Sequence, residues 1–201
     1  MPKEVDHDAR RRELADSAIR VIAREGLAAT TLAMVAAESG WSIGSIRHYF
    51  PTKNGLIESA LWRVGERVDE RIRRRTAGGM RLADLRTAAV ELLPLDAAGR
   101  EESRVWLAFA AQAAVEPELA AAAHDAARRL QGPLADRFRA AAESGELRPD
   151  LDPEHEADRL RVLRAGLDLQ LLTVPRRSSK KWALRILDEH LAGLTPVPGN
   201  A

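Results

Sequence analysis

Along most of the chain apolar residues recur three and four positions apart and seldom two apart, the period of helices packed on one face. Leu14, Ala18, Ile19 and Ile22 form the stripe of a first helix, which Asp6 or Asp8 can cap and Gly26 can end. Thr31 is placed to cap a short helix, Leu32 to Ser39, closed by Gly40. Ser42 begins another, Ile43 to Tyr49, stopped by Pro51. Thr52 can cap a long helix from Lys53 to about Arg75, with Leu56, Ile57, Ala60, Leu61, Val64 and Val68 on its inner side. Beyond Gly78 and Gly79 the pattern predicts helices near 81–93, 97–115, 117–144, 153–173 and 179–193. Gly132 and Pro133 fall inside 117–144 and are expected to kink it. The tail from Thr195, with two prolines and a glycine, is expected to fray. The fold class expected is all-α, with about nine helices.

Composition supports this. The 201 residues are 45% hydrophobic and 30% charged, enough for one or two cores. No stretch reaches the roughly 20 apolar residues of a membrane span, and Met1 to Arg12 lacks the apolar run of a signal peptide. The absence of cysteine removes disulfides, Cys-ligated metals and thiol chemistry, and fits a cytoplasmic protein. The formal net charge of +1 hides an asymmetry. Residues up to Arg81 hold 15 basic and 11 acidic side chains, and the remainder 16 and 19. A basic front and an acidic rear imply two jobs in one chain.

The front holds a candidate for one of them. In TLAMVAAESGWSIGSIRHYFPTKNGL, Thr31 to Leu56, two short helices are joined by Ser39-Gly40-Trp41-Ser42. This is a helix-turn-helix arrangement, whose glycine permits the tight turn and whose second helix can enter a DNA major groove. Val35, Ala36, Ile46 and Phe50 supply apolar contacts to hold the pair on the first helix.

Thr31, Val35, Ala36, Gly40, Ser42, Gly44, Ile46, Tyr49, Phe50, Thr52, Lys53 and Leu56 stand at the spacing of one known pattern, and the segment resembles the TetR family of transcriptional regulators. Two residues depart from it. Trp41 replaces a small aliphatic, where it can enlarge the packing of the turn or touch the DNA backbone. Arg47 replaces a tyrosine with a fork suited to guanine O6 and N7 or to a phosphate. His48-Tyr49-Phe50, Leu92 to Leu95 and Arg104 to Leu107 resemble the BetI-like branch of the family.

The resemblance implies a homodimer that binds a palindromic double-stranded DNA operator and is released by a small molecule, repression being the family default. It implies groove contacts from Ser42, Ile43, Ser45 and Arg47, with Ser45 and Arg47 reading bases. Thr31, His48, Tyr49 and Lys53 match phosphate-holding positions. Ala33 faces outward and is too small to read more than a thymine methyl. Arg10, Arg11 and Arg12 are open to two readings, a solvated helix start or phosphate and minor-groove contacts. The expected division is a DNA-binding domain at 1–52 and an effector-binding and dimerisation domain at 53–201, with the helix from Lys53 serving both.

For the rear part, Val105 to Val115 is apolar except for Gln112 and is expected to run through the middle of that domain. Trp106, Phe109, Gln112, Phe138, Leu167 and Gln170 are candidate pocket-lining residues, each equally explained by core packing. Asp125, Asp168, Arg161 and Arg164 offer an effector charged partners, or simply pair among themselves. Leu160, Leu163, Leu167 and Leu171 make one stripe; Leu184, Leu187, Leu191 and Leu194 make another, with Trp182 and Ile186 beside it. Either stripe can face its own core, but two apolar helices near the chain end favour a four-helix dimer interface built from 153–173 and 179–193.

No catalytic constellation, cofactor motif or HExxH zinc motif occurs, and the five histidines are scattered. His155 and Asp158 share a helix face, but beside Glu154 and Glu156 they read as a solvated acidic helix start rather than a metal site. No enzyme, cofactor or metal is expected.

Overall fold

The computed structural model describes residues 6–196 except 77, 78, 80 and 175–177, and describes the backbone alone at 123, 126, 127 and 129–132. Among the described residues there are nine α-helices and no strand: α1 His7–Glu25, α2 Leu32–Ser39, α3 Ile43–Tyr49, α4 Lys53–Thr76, α5 Leu82–Glu91, α6 Ala97–Ala113, α7 Pro117–Glu143, α8 Pro153–Thr173 and α9 Lys180–Ala192. No described helix is long and apolar enough to cross a membrane. The expected tail beyond Pro196 lies outside the described residues.

Helix ends fall where the side chains dictate. Asp6 caps α1 by accepting from the Ala9 amide at 3.0 Å, Thr31 caps α2 through the Met34 amide, and Ser42 caps α3 through the Ser45 amide. Gly40 closes α2 with φ +74°, a left-handed conformation that other residues adopt only under strain. α7 continues through Pro133 as a single assigned helix.

The chain divides into two compact units. The first holds residues up to Arg67 together with Glu101–Ala126, and the second Val68–Arg100 together with residues from Ala127 on. This partition divides α4 between the two units and places 101–126 in the first.

In the first unit, Leu14, Ala18, Ile19, Val21 and Ile22 of α1 bury against Val35, Ile46, Phe50, Leu56, Ile57, Ala60, Leu61 and Val64. Val105, Phe109 and Leu119 complete this core. The apolar run 105–115 lies in this unit, where it contributes Val105 and Phe109 to the core. Only its positions 105 and 109 are deeply buried, while Ala110, Ala111, Ala114 and Val115 are exposed. Alanine, the best helix former, suits an exposed face as well as a buried one, so an alanine-rich run carries little burial signal.

The second unit packs Leu85, Ala89, Leu93, Leu134, Phe138, Ala141, Leu147, Leu160, Leu167, Ala183, Leu187, Leu191 and Leu194 into one core, with Leu163, Leu171, Trp182 and Ile186 against it. The leucine stripes of α8 and α9, Leu184 apart, therefore face their own interior. Arg86 clamps Asp188 with two hydrogen bonds of 2.7 and 3.0 Å, tying α5 to α9. The outer side of α8 carries Val162, Ala165, Gly166 and Leu169 instead, with Val162 62% and Leu169 47% exposed. On α9, Leu184 and Ala192 line a shallow groove with Lys180, Lys181, Arg185, Asp188 and Glu189.

Candidate nucleic-acid interface

Successive residues on a helix are about 100° apart, so Ile46 buried at 0% fixes the orientation of α3. Gly44 and His48 then point directly outward, Ile43 and Arg47 share one flank, and Ser45 lies on the other. Exposure agrees: Ile43, Gly44, Arg47 and His48 are exposed, whereas Ser45 and Tyr49 are half-buried. Arg47 makes no hydrogen bond or ion pair among the described residues, which leaves its guanidinium able to meet an incoming acceptor. Gly44 has only Ser42 Oγ, at 3.8 Å, near the space a Cβ would fill, so at position 44 the outward surface of α3 is bare backbone.

Ser42 and Ser45 form a linked pair. Ser42 Oγ accepts from the Ser45 amide at 3.0 Å, and the two hydroxyls lie 2.8 Å apart. One hydroxyl proton is committed between them, leaving a single proton and free lone pairs to face outward.

Trp41 is partly buried against the first core, and its indole N–H donates to Glu13 Oε1 at 3.2 Å. Arg10 stacks over the indole ring at 5.2 Å and pairs with Glu13 at 3.1 Å. Tyr49 meets Trp41 edge-on at 5.8 Å and lies beside the rings of His7 and His48, at 5.6 and 5.2 Å. Arg11 donates to the Tyr49 carbonyl at 2.8 Å while covering Phe50 at 4.6 Å. Arg11 thus holds the C-terminal end of α3, Arg10 covers Trp41 in the turn before it, and Arg12 is exposed.

Thr31 is exposed at the start of α2 with its hydroxyl oxygen in the cap bond. At the far end of α2, Glu38 takes Arg20 at 2.6 Å and Arg24 at 3.2 Å. The hydrogen bond from Arg20, then that from Arg24, holds the Glu38 carboxyl below the usual carboxylate range. Thr52 Oγ1 accepts from the Gly55 amide at 3.1 Å, and Lys53 Nζ donates to the Ala28 carbonyl at 3.3 Å. The lysine lies against the loop between α1 and α2, reaching across 25 residues of sequence.

Glu13 escapes a motif reading because it acts through a neighbour, Trp41. The only signal for Glu13 was an unusual tryptophan with an N–H to satisfy.

The six candidate pocket residues do not fall in one unit. Trp106, Phe109 and Gln112 belong to the first, where Phe109 is 1% exposed, Trp106 is half-buried and Gln112 donates to Glu116. Phe138 and Leu167 are core residues of the second, and Gln170 is exposed there. The charged candidates pair locally: Arg164 with Asp168 at 2.6 Å and Arg161 with Asp158 at 3.3 Å. Burial pushes the Asp168 carboxyl up to about 6 against the opposing pull of Arg164. No group of three or more metal-ligating side chains lies together among the described residues.

Comparisons with known proteins converge on this architecture. Residues 14–60 match the family profile described as bacterial regulatory proteins, tetR family, and residues 81–196 that of the BetI-type transcriptional repressor, C-terminal. The HTH-type transcriptional regulator PksA of Bacillus subtilis is 30% identical over 195 residues, covering 96% of this chain and 94% of the relative. The HTH-type transcriptional regulator BetI of Burkholderia thailandensis is 30% identical over 193 residues, 95% of this chain and 96% of the relative. Among solved structures, a transcriptional regulator from Saccharomonospora viridis in complex with choline superposes with a TM-score of 0.83 at 26% identity, over 94% of this chain and all of that one.

Proposed function

Because this chain belongs to the TetR family of bacterial transcriptional regulators and carries a BetI-type C-terminal domain, we infer that it is a cytoplasmic, ligand-responsive repressor that binds a palindromic operator as a homodimer. The observation that carries the reading is the exposed, unpaired guanidinium of Arg47 on a recognition helix whose turn and ends are tied down by Ser42, Gly40, Trp41 and Arg11. A base-reading fork needs a rigid mount, since a side chain on a loose helix spends on ordering what it gains on contact.

In this reading residues 1–52 form the DNA-binding domain and 53–201 the effector-binding and dimerisation domain. Ser42, Ile43, Ser45 and Arg47 enter the major groove, and Thr31, His48, Tyr49 and Lys53 hold phosphates. Lys53 exchanges its carbonyl partner for a phosphate oxygen, trading a neutral acceptor for a charged one. Gly44 lets the backbone of α3 approach the duplex closely.

A single helix-turn-helix supplies too small an interface for selective binding, and pairing two half-sites resolves this. The outer faces of α8 and α9, where Val162, Ala165, Gly166 and Leu169 lie beyond the buried leucine stripes, form the dimer contact. Small residues there permit close helix approach. The choline complex of the Saccharomonospora viridis regulator supports a small-molecule effector for the BetI-type C-terminal domain, and the six candidate lining residues, divided between the two units, do not by themselves define its site. An effector that prefers a conformation with mis-spaced recognition helices lowers operator affinity by its coupling energy, typically 1 to 3 kcal/mol.

Selection of binding sites from random duplex DNA tests the proposal. Enrichment of a palindrome with half-sites separated by about one helical turn or a multiple of it supports the dimeric operator reading. Enrichment of a single unpaired site contradicts it.

A further inference from the structure

Among the described residues of the second unit, three charged side chains are buried: Glu156 at 2%, Asp168 at 0% and Arg137 at 7% exposure. Two have counter-ions. Glu156 pairs with Arg159 at 2.8 Å and Asp168 with Arg164 at 2.6 Å. Each keeps one oxygen without a hydrogen-bond partner. Burial pushes the Asp168 carboxyl up to about 6, so it can take up a proton and shed its charge.

Arg137 has neither remedy. Its Nη1 donates to the Pro133 carbonyl at 3.0 Å, one turn back on α7, and its Nε is buried with no acceptor. No carboxylate among the described residues lies within ion-pair distance of it. A guanidinium does not lose its proton at any pH a protein tolerates, and burying it without a counter-charge is costly. Leu134, Phe138 and Ala141, all buried, flank it on the inward side of α7.

We propose that Arg137 is the anion-recognition residue of the effector site, and that the effector is a small, largely apolar molecule bearing a carboxylate. The Nε edge is the side-on fork that a carboxylate fills with two parallel hydrogen bonds, reached when the packing of Leu134 and Phe138 beside it opens to take an apolar body. The charge is opposite to that of the choline held by the Saccharomonospora viridis regulator. The proposal rests on the effector reading for its consequence at DNA, but not for the binding itself.

The test is thermal unfolding of the full-length protein with sodium hexanoate or sodium benzoate at ~10 mM, against hexanamide and benzamide as neutral partners of matched shape. Either carboxylate is expected to raise the wild-type Tm by about 2–4 °C, with little effect from the amides. Arg137→Met, which replaces a buried charge by an apolar chain of similar length, is expected to abolish the carboxylate shift. Arg137→Lys, which keeps the charge but loses the fork, is expected to retain a reduced shift and serves if the methionine variant does not fold. Absence of a carboxylate shift in the wild type, or a shift that persists in the Arg137 variants, would overturn the proposal. Carboxylate binding at Arg137 without operator release in a gel shift would uphold the site and contradict its role as the inducer's. Operator release by a molecule indifferent to Arg137→Met would uphold the effector reading and overturn the site.

Discussion

Trp41 of the helix-turn-helix turn donates its indole N–H to the Glu13 carboxylate of α1 at 3.2 Å. The bond joins the first helix to the turn that sets the angle of the recognition helix, across 28 residues of sequence. Trp41→Phe keeps most of the ring packing and removes the donor, whereas Glu13→Ala removes the acceptor. A double-mutant cycle in urea unfolding is expected to give a coupling of about 0.5–1 kcal/mol, the range for an exposed hydrogen bond to a charged group. Strict additivity would show that the contact contributes nothing.

Gly40 and Gly44 separate folding from function. At φ +74° Gly40 sits where a Cβ is strained, so Gly40→Ala should lose about 1 kcal/mol of stability. Gly44→Ala meets only Ser42 Oγ at 3.8 Å and should leave the melting curve unchanged or raised while weakening operator binding, because the new methyl stands on the outermost surface of α3. Equal operator affinity for wild type and Gly44→Ala would remove close backbone approach from the account.

Asp168 and His190 give opposite pH dependences. Burial raises the Asp168 carboxyl to about 6, so the folded state holds its proton more tightly than the unfolded chain does. Stability from this group is present below about pH 4 and is lost as pH rises toward 6. Burial, aided by Arg159, lowers the His190 imidazole, so its contribution is present above about 6.5 and is lost as pH falls below that value. Asp168→Asn should therefore raise Tm at pH 7 relative to pH 4.5, when each is compared with wild type, and His190→Asn should do the reverse. Unfolding curves of both variants at the two pH values check the signs.

The outer faces of α8 and α9 offer a test of assembly that leaves the core alone. Val162 and Leu169 are exposed at 62% and 47%, so Val162→Glu with Leu169→Glu should fold with unchanged helicity. Burying those charges in a symmetric interface is unfavourable, and the double variant should sediment as a monomer and bind operator at least about tenfold more weakly. A dimer of unchanged stability would place the interface elsewhere.

Local rules made much of this chain readable in advance. Thr31, Ser42, Gly26, Gly40 and Pro51 act within a few residues of themselves, so helix ends in the front segment emerge from spacing alone. Burial of Val35, Ile46 and Phe50 follows from the same motif. What sequence could not supply were partnerships across the chain, such as Lys53 with the Ala28 carbonyl or Arg11 with the Tyr49 carbonyl. An alanine-rich run such as 105–115 leaves burial unreadable, because alanine suits an exposed helix face as well as a buried one. A leucine stripe's period shows that it is buried without showing against what, and the stripes of α8 and α9, Leu184 apart, fill their own core.

The role of Arg47 as a base reader is tested most directly by binding of Arg47→Ala to operator and to random duplex, with Lys53→Ala alongside. Arg47→Ala is expected to lose about 1–3 kcal/mol on the operator, with relaxed preference at one position in each half-site and little change on random DNA. Lys53→Ala is expected to weaken both duplexes alike and to flatten the salt dependence by about one phosphate contact. Equal losses on operator and random DNA for Arg47→Ala would contradict the assignment and make Arg47 another phosphate contact.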